Sequence, residues 1–165
     1  MGTIVASGTT DTISAGQTDV GGQVPSGGAL VVASGGTAGD TVVLGSETIL
    51  SGGDDDAALI LGGGVQVVGA GGVASGATIG SGGTEIVASG GVTSDAVISG
   101  GTLELQAGAT LADGIDFAAA GTLVIDGTTM PTATIFGFAD TGETIDLRGL
   151  AFASAGCSPA LSPSM

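Results

Sequence analysis

The chain has neither lysine nor histidine, neither tryptophan nor tyrosine, and one cysteine, and each absence removes a class of function. Sixteen acidic residues stand against Arg148 alone, for a net charge of -15. A phosphate-backbone partner is therefore excluded, because nothing is present to displace its counterions, and anionic membranes are excluded with it. Cys157 has no partner for an intramolecular disulfide or a multi-cysteine metal site. No run has the length and unbroken apolarity of a membrane helix, so membrane insertion by this chain is not expected. Met1 opens directly onto "GTIVASG", with no basic region ahead of an apolar one, so any export signal is expected to lie elsewhere. Aromatic residues make up 2% of the chain, yet 42% of it is hydrophobic and 35 of its 165 residues are glycine. Small and β-branched side chains can fill a narrow interior but cannot reach the centre of a wide one.

What the chain does have is a repeat. Gly8, Gly27, Ser46, Gly63, Gly82, Gly100 and Ala120 open successive turn clusters, spaced by 19, 19, 17, 19, 18 and 20 residues. A second turn falls inside each unit, at Gly16, Gly35, Gly52, Gly71, Gly90 and Gly108. Apolar residues keep the same beat in two series. One runs Ile13, Val32, Ile49, Val68, Val87, Leu105 and Ile125; the other runs Val24, Val43, Ile60, Ile79, Ile98 and Phe117. Two ladders in register through six units mark a solenoid. The arms are strands, since β-branched residues fill them and glycine-rich breaks arrive too soon for a helix. The expected fold is all-β: a parallel β-solenoid of about six coils, roughly 19 residues per coil and about 30 Å long at 4.8 Å per coil. A disordered Gly/Ser-rich segment fits the glycine content but not the ladders, and an antiparallel sandwich fits the short strands but not the fixed period.

The units "GGALVVASGGTAGDTVVLGS", "GGVQVVGAGGVASGATIGSGG" and "GGTEIVASGGVTSDAVISGG" resemble the strand-loop-strand repeats of AIDA-like autotransporter passenger domains, over roughly residues 4 to 127. The resemblance implies a right-handed parallel β-helix at, or released from, the surface of a Gram-negative bacterium. It also implies roles in adhesion, autoaggregation and biofilm, with host or bacterial surface glycans or proteins as partners and end-to-end or lateral self-association. Some members carry O-linked heptose on repeat serines, and the matching serines here are Ser34, Ser51, Ser81, Ser89 and Ser99. The bland reading of each is a small residue in a tight corner. Nothing like the family's membrane-embedded translocator follows the repeats, so the resemblance reaches the passenger alone.

All four phenylalanines, Phe117, Phe136, Phe138 and Phe152, fall in the last third, and glycine pairs stop after Gly101. The solenoid is thus assigned to residues 1–127 and a capping segment to 128–155, with Ile145 and Leu147 facing inward. Residues 156–165, "GCSPALSPSM", read as a disordered tail. Arg148 has Asp146, Glu143 and Asp140 as nearby partners, or solvent.

The sequence offers no recognisable catalytic equipment. A polysaccharide lyase needs a base that one arginine cannot readily supply, and a glycosidase needs two carboxyls across a substrate with aromatic platforms. Asp95 and Glu104 are isolated acids. Asp54, Asp55 and Asp56 are adjacent at a turn; they are expected to point outward beside a tightened corner at Ser46 to Gly52, and they are weak calcium candidates. Stacked threonines could order water on a flat face, but the rank of Thr41 and Thr78 is broken by Ala96. The function expected is a non-catalytic surface adhesin, with no cofactor. An inert spacer holding another module away from the cell is the alternative, and a polysaccharide-active β-helix enzyme the remote one.

Overall fold

A computed structural model of the chain describes residues 2–127, 130–138 and 142–149. Each of the first six coils consists of three short strands. The first comprises β1 (Thr10–Ile13), β2 (Thr18–Val20) and β3 (Gln23–Val24), and the second β4 (Ala29–Val32), β5 (Thr37–Gly39) and β6 (Val42–Val43). The third has β7 (Ser46–Ile49), β8 (Asp54–Asp56) and β9 (Leu59–Ile60), and the fourth β10 (Val65–Val68), β11 (Val73–Ser75) and β12 (Thr78–Gly80). The fifth has β13 (Thr84–Val87), β14 (Val92–Ser94) and β15 (Ala96–Ser99), and the sixth β16 (Thr102–Leu105), β17 (Thr110–Leu111) and β18 (Ile115–Phe117). Then come β19 (Gly121–Asp126), β20 (Ile135–Phe136) and β21 (Glu143–Arg148).

Each strand pairs in parallel with its counterpart one coil away, giving three long sheets of eight, six and seven strands. The chain is a parallel β-solenoid of about seven turns, of which six contribute to all three sheets. Both apolar ladders are interior columns. Ile49, Val68 and Val87 lie opposite one another in the first sheet, as do Ile60, Ile79 and Ile98 in the third, and all six are fully buried. The second sheet contributes small inward residues, Ala38 and Ala74, which is why the interior is narrow enough for a chain so poor in aromatics.

The glycine pairs have a division of labour. Gly71 has φ +74°, a left-handed conformation that a side chain disfavours. Its neighbour Gly72 has an ordinary φ, but a Cβ there would sit 2.8 Å from the carbonyl oxygen of Ile49 in the coil before. One glycine turns the chain and the next lets the coils touch. The third corner is less demanding and uses Asp40, Ala57 and Asp95 at φ +51°, +63° and +52° alongside Gly21 and Gly76.

The short third unit differs from expectation. Ser46 already begins β7 and pairs with Ala29, so the missing two residues come out of the preceding corner, where only Leu44 and Gly45 join β6 to β7. The threonine rank dissolves too. Thr41 is fully buried, whereas Thr78 is half-buried and lies opposite Leu59 and Val97, one column away.

Beyond β18, the segment read as a cap adds rungs: β20 extends the third sheet and β21 the first. Ile145 and Leu147 pack against the core. Phe117 is buried and meets Phe138 edge-on at 5.5 Å, while Phe136 and Phe138 stay half-exposed. Arg148 donates to Asp146 at 2.9 Å on the surface. Phe152, Cys157, Asp140 and the expected tail at 156–165 lie outside the described residues.

Val68 and Val67 test the solenoid side by side. Val68→Asp places an uncompensated carboxylate between Ile49 and Val87 and is expected to cost about 3 kcal/mol or more in urea unfolding. Val67→Asp, on the outer side of the same strand, is expected to stay within about 1 kcal/mol.

Candidate functional site

Strand alternation divides the chain's chemistry into an outer face and an interior. The first sheet has the longest continuous outer face. Each of β1, β4, β7, β10 and β13 turns two side chains outward, and none of these is charged, although Asp11, in the inward column of β1, is exposed at the end of the sheet. Thr10 and Thr12 stand at one end, and Val65, Val67, Thr84 and Ile86 at the centre. The first outward charge on this sheet is Glu104, on β16. In a chain of net charge -15, that is a flat, neutral, β-branched surface, with acids placed instead on β8 and at the far corner between the second and third sheets, where Asp40 and Asp95 lie.

The serines matched to glycosylated positions sit at corners. Ser34, Ser51, Ser81 and Ser89 are exposed and Ser99 is half-buried. A Cβ built on Gly71 would meet the Ser51 hydroxyl at 2.7 Å, and Ser34 and Ser89 stand in the same relation to Gly52 and Gly108. Each of these hydroxyls thus occupies room that the glycine of the next coil leaves open.

The aspartate triplet does not all point outward. Asp54 to Asp56 form β8, in register with Ala38 and Ala74, so alternation sends Asp55 into the core while Asp54 and Asp56 face solvent. A single strand cannot direct three consecutive carboxylates to one cation. Among the described residues, no group of three His, Cys, Asp or Glu side chains is placed to hold a metal ion.

Asp55 enters an interior that is unexpectedly polar. Glu47, Gln66 and Glu85 are consecutive members of a first-sheet column whose neighbours are Leu30 and Leu103, and all three are fully buried. Gln66 Nε2 donates to Glu47 Oε2 at 2.9 Å and to Asp55 Oδ2 at 2.6 Å, linking two sheets across the core. Burial pushes the Glu47 carboxyl well above its ordinary range and the nearby Asp55 charge adds to this, while the Gln66 bond opposes it. Asp55 is raised by burial and by the charges of Asp54 and Asp56, again against Gln66. Glu85 is pushed up to about 7 by burial; the Thr93 hydroxyl, near but outside good hydrogen-bond geometry, offsets part of this, and Asp55 adds a little. By contrast Asp19, in the same column as Asp55, accepts the Thr3 backbone N–H at 2.9 and 3.0 Å.

Sequence reasoning missed this cluster: Glu47, Gln66 and Glu85 each lie two residues before a residue of the first apolar ladder, the next inward position of a strand, whereas Asp55 in the second sheet carries no such mark. Shallow depressions elsewhere offer little chemistry. Asp95 and Asp116 line one beside Phe136, with no basic side chain there.

No protein-family model and no curated protein matches the chain. Among solved structures it is similar to a TibC-catalysed, hyper-glycosylated TibA fragment, residues 55–350, with a TM-score of 0.59 and 26% sequence identity. The similarity covers 87% of this chain and 55% of that one, so the chain spans about half the length of its structural neighbour.

Proposed function

We propose that the chain is an adhesive rod of a Gram-negative cell surface, a passenger-type solenoid that attaches cells to surfaces and to one another without catalysis. The observation that carries this reading is the neutral outer face of the first sheet, which repeats the same kind of shallow contact on rung after rung. Such a face suits uncharged surface glycans, neutral protein surfaces or a second rod laid alongside, because it has no like charge to bring against a partner. Its attachment comes from many weak contacts engaged together, so avidity grows with the number of coils. The likeness to the TibA fragment supports a passenger-type rod.

Display of the chain on a non-adherent cell tests the proposal. Removing residues 63–99 joins Gly62 to Gly100 and takes out two whole coils; attachment and aggregation are expected to fall several-fold. Val67→Asp combined with Ile86→Asp keeps the rod's length but charges its face, and the same direction of change is expected. Adhesion equal in all three chains, or absent from all, overturns the adhesin reading. Loss on shortening alone favours a spacer.

A second reading has its own observation. The structural neighbour is hyper-glycosylated, and four of the five matched serines here are exposed at corners. On this reading a heptosyltransferase modifies Ser34, Ser51, Ser81, Ser89 and Ser99. Co-expression with such an enzyme is expected to raise the intact mass in whole heptose-residue steps, and alanine at all five serines to abolish the gain. An unchanged mass in the native chain overturns it.

A further inference from the structure

The interior carboxyls Glu47, Asp55 and Glu85 lie in coils three to five, and the hydrogen-bond inventory around them does not balance when they are ionised. Glu47 Oε1, Asp55 Oδ1, Gln66 Oε1 and both oxygens of Glu85 are buried acceptors without a donor. Among the described residues, the unpartnered hydroxyls of Thr41 and Thr93 are the only donors in the set of buried unsatisfied side-chain atoms. Nor does a cation balance the charge. The chain's one basic residue, Arg148, is on β21 and bonded to Asp146. The surroundings are otherwise neutral: Leu30 and Leu103 continue the first-sheet column, Ala38, Ala74 and Thr93 face it from the second sheet, and Ile60 and Ile79 from the third. The nearest other ionisable groups are acids. Asp54 and Asp56 flank Asp55 on the outer surface, Glu104 lies outward on β16, Asp40 and Asp95 occupy corners, and Asp19 is two rungs along and already bonded to the Thr3 amide.

We propose that this cluster is a proton latch: Glu47, Asp55 and Glu85 take up protons as the rod folds, and their ionisation loosens coils three to five. Each proton does two things at once. It removes a buried charge that has no counterion, and it converts an acceptor into one of the missing donors. A proton on Glu85 removes a charge near which only the Thr93 hydroxyl stands, and Gln66 holds the Glu47 and Asp55 carboxyls in place for sharing one.

The direction of the pH response follows. Burial raises all three groups above their unfolded values, so the folded chain holds protons that the unfolded chain gives up. The cluster's contribution to stability is complete below the ordinary aspartate value of 3.8, falls from there for Asp55 and from 4.5 for the two glutamates, and is lost as pH rises through the folded values, about 7 for Glu85. For each proton taken up, the folding constant changes by up to about tenfold per pH unit across that window. The surface acids are unaffected by the latch, so their mutual repulsion is the competing cause of any alkaline weakening.

Urea unfolding of the full chain at about pH 5 and about pH 8.5, beside the E47Q/D55N/E85Q variant, separates the two causes. The native chain is expected to lose stability on going to the higher pH; the variant, neutral inside at both, is expected to lose less than half as much and to be the more stable of the two at the higher pH. Limited proteolysis at the higher pH is expected to cut the native chain within residues 44–99. An equal loss in both chains overturns the latch, as does recovery of the native midpoint by added Ca²⁺, which would make the cluster a cation site. Should the variant not fold, infrared spectroscopy of the native chain decides. A protonated-carboxyl C=O band in the folded chain at neutral pH, lost on unfolding, supports the proposal, and its absence overturns it.

Discussion

The rest of this structure depends on the coil-to-coil backbone hydrogen bond, repeated without slippage. At one corner the N–H groups of Gly16, Gly35, Gly52, Gly71 and Gly90 each donate to the carbonyl of the corresponding glycine one coil on, at 2.7 to 2.9 Å. Bonds like these run along all three sheets, and they require each coil to present its backbone at the same height and direction as the last. The sequence serves that requirement before any other. Glycine pairs turn the chain and let carbonyls approach, and Ala and Ser fill corners that a larger residue would prise apart. When two residues are lost, as between β6 and β7, they leave from a corner, and the strand register survives.

Strict register makes like stack upon like, which is why side chains form columns. An apolar column is stabilised by this, since every member packs against two of its kind. A polar column is not, unless donors and acceptors alternate. Glu47, Gln66 and Glu85 come close to alternation, with one amide between two carboxyls, but Glu85 has no amide beyond it and Leu103 follows. The interior of coils three to five is therefore where the general architecture and the local chemistry are most at odds, and where conditions outside the rod can act on it.

Outside, the same repetition separates neutral surface from charge. Acids collect at corners, at the ends and on β8, while the first sheet keeps an uncharged plane through five consecutive strands. A rod of this charge repels its copies over most of its surface, and this plane is the region where repulsion is weakest. The proposed adhesion and the proposed interior latch are independent of one another, one resting on outward positions and the other on inward positions of the same strands.

The sequence by itself determined the coil, its period, the strand arms and two of the interior columns, because glycine spacing and apolar recurrence are local signals that every coil repeats. Ile49, Val68 and Val87 needed only counting. The third column and the fate of the aspartate triplet were decided by tertiary structure. Glu47, Gln66, Glu85 and Asp55 are residue types that ordinarily face water; the first three share a strand face with the counted ladder, but Asp55 has no ladder residue in its strand to mark a side as inward. Pairing with Ala38 and Ala74 places Asp55 inside, and closure of three sheets around a narrow core buries it. That choice is made by neighbours one coil away, about 19 residues distant in sequence, and no pattern within the triplet itself records it.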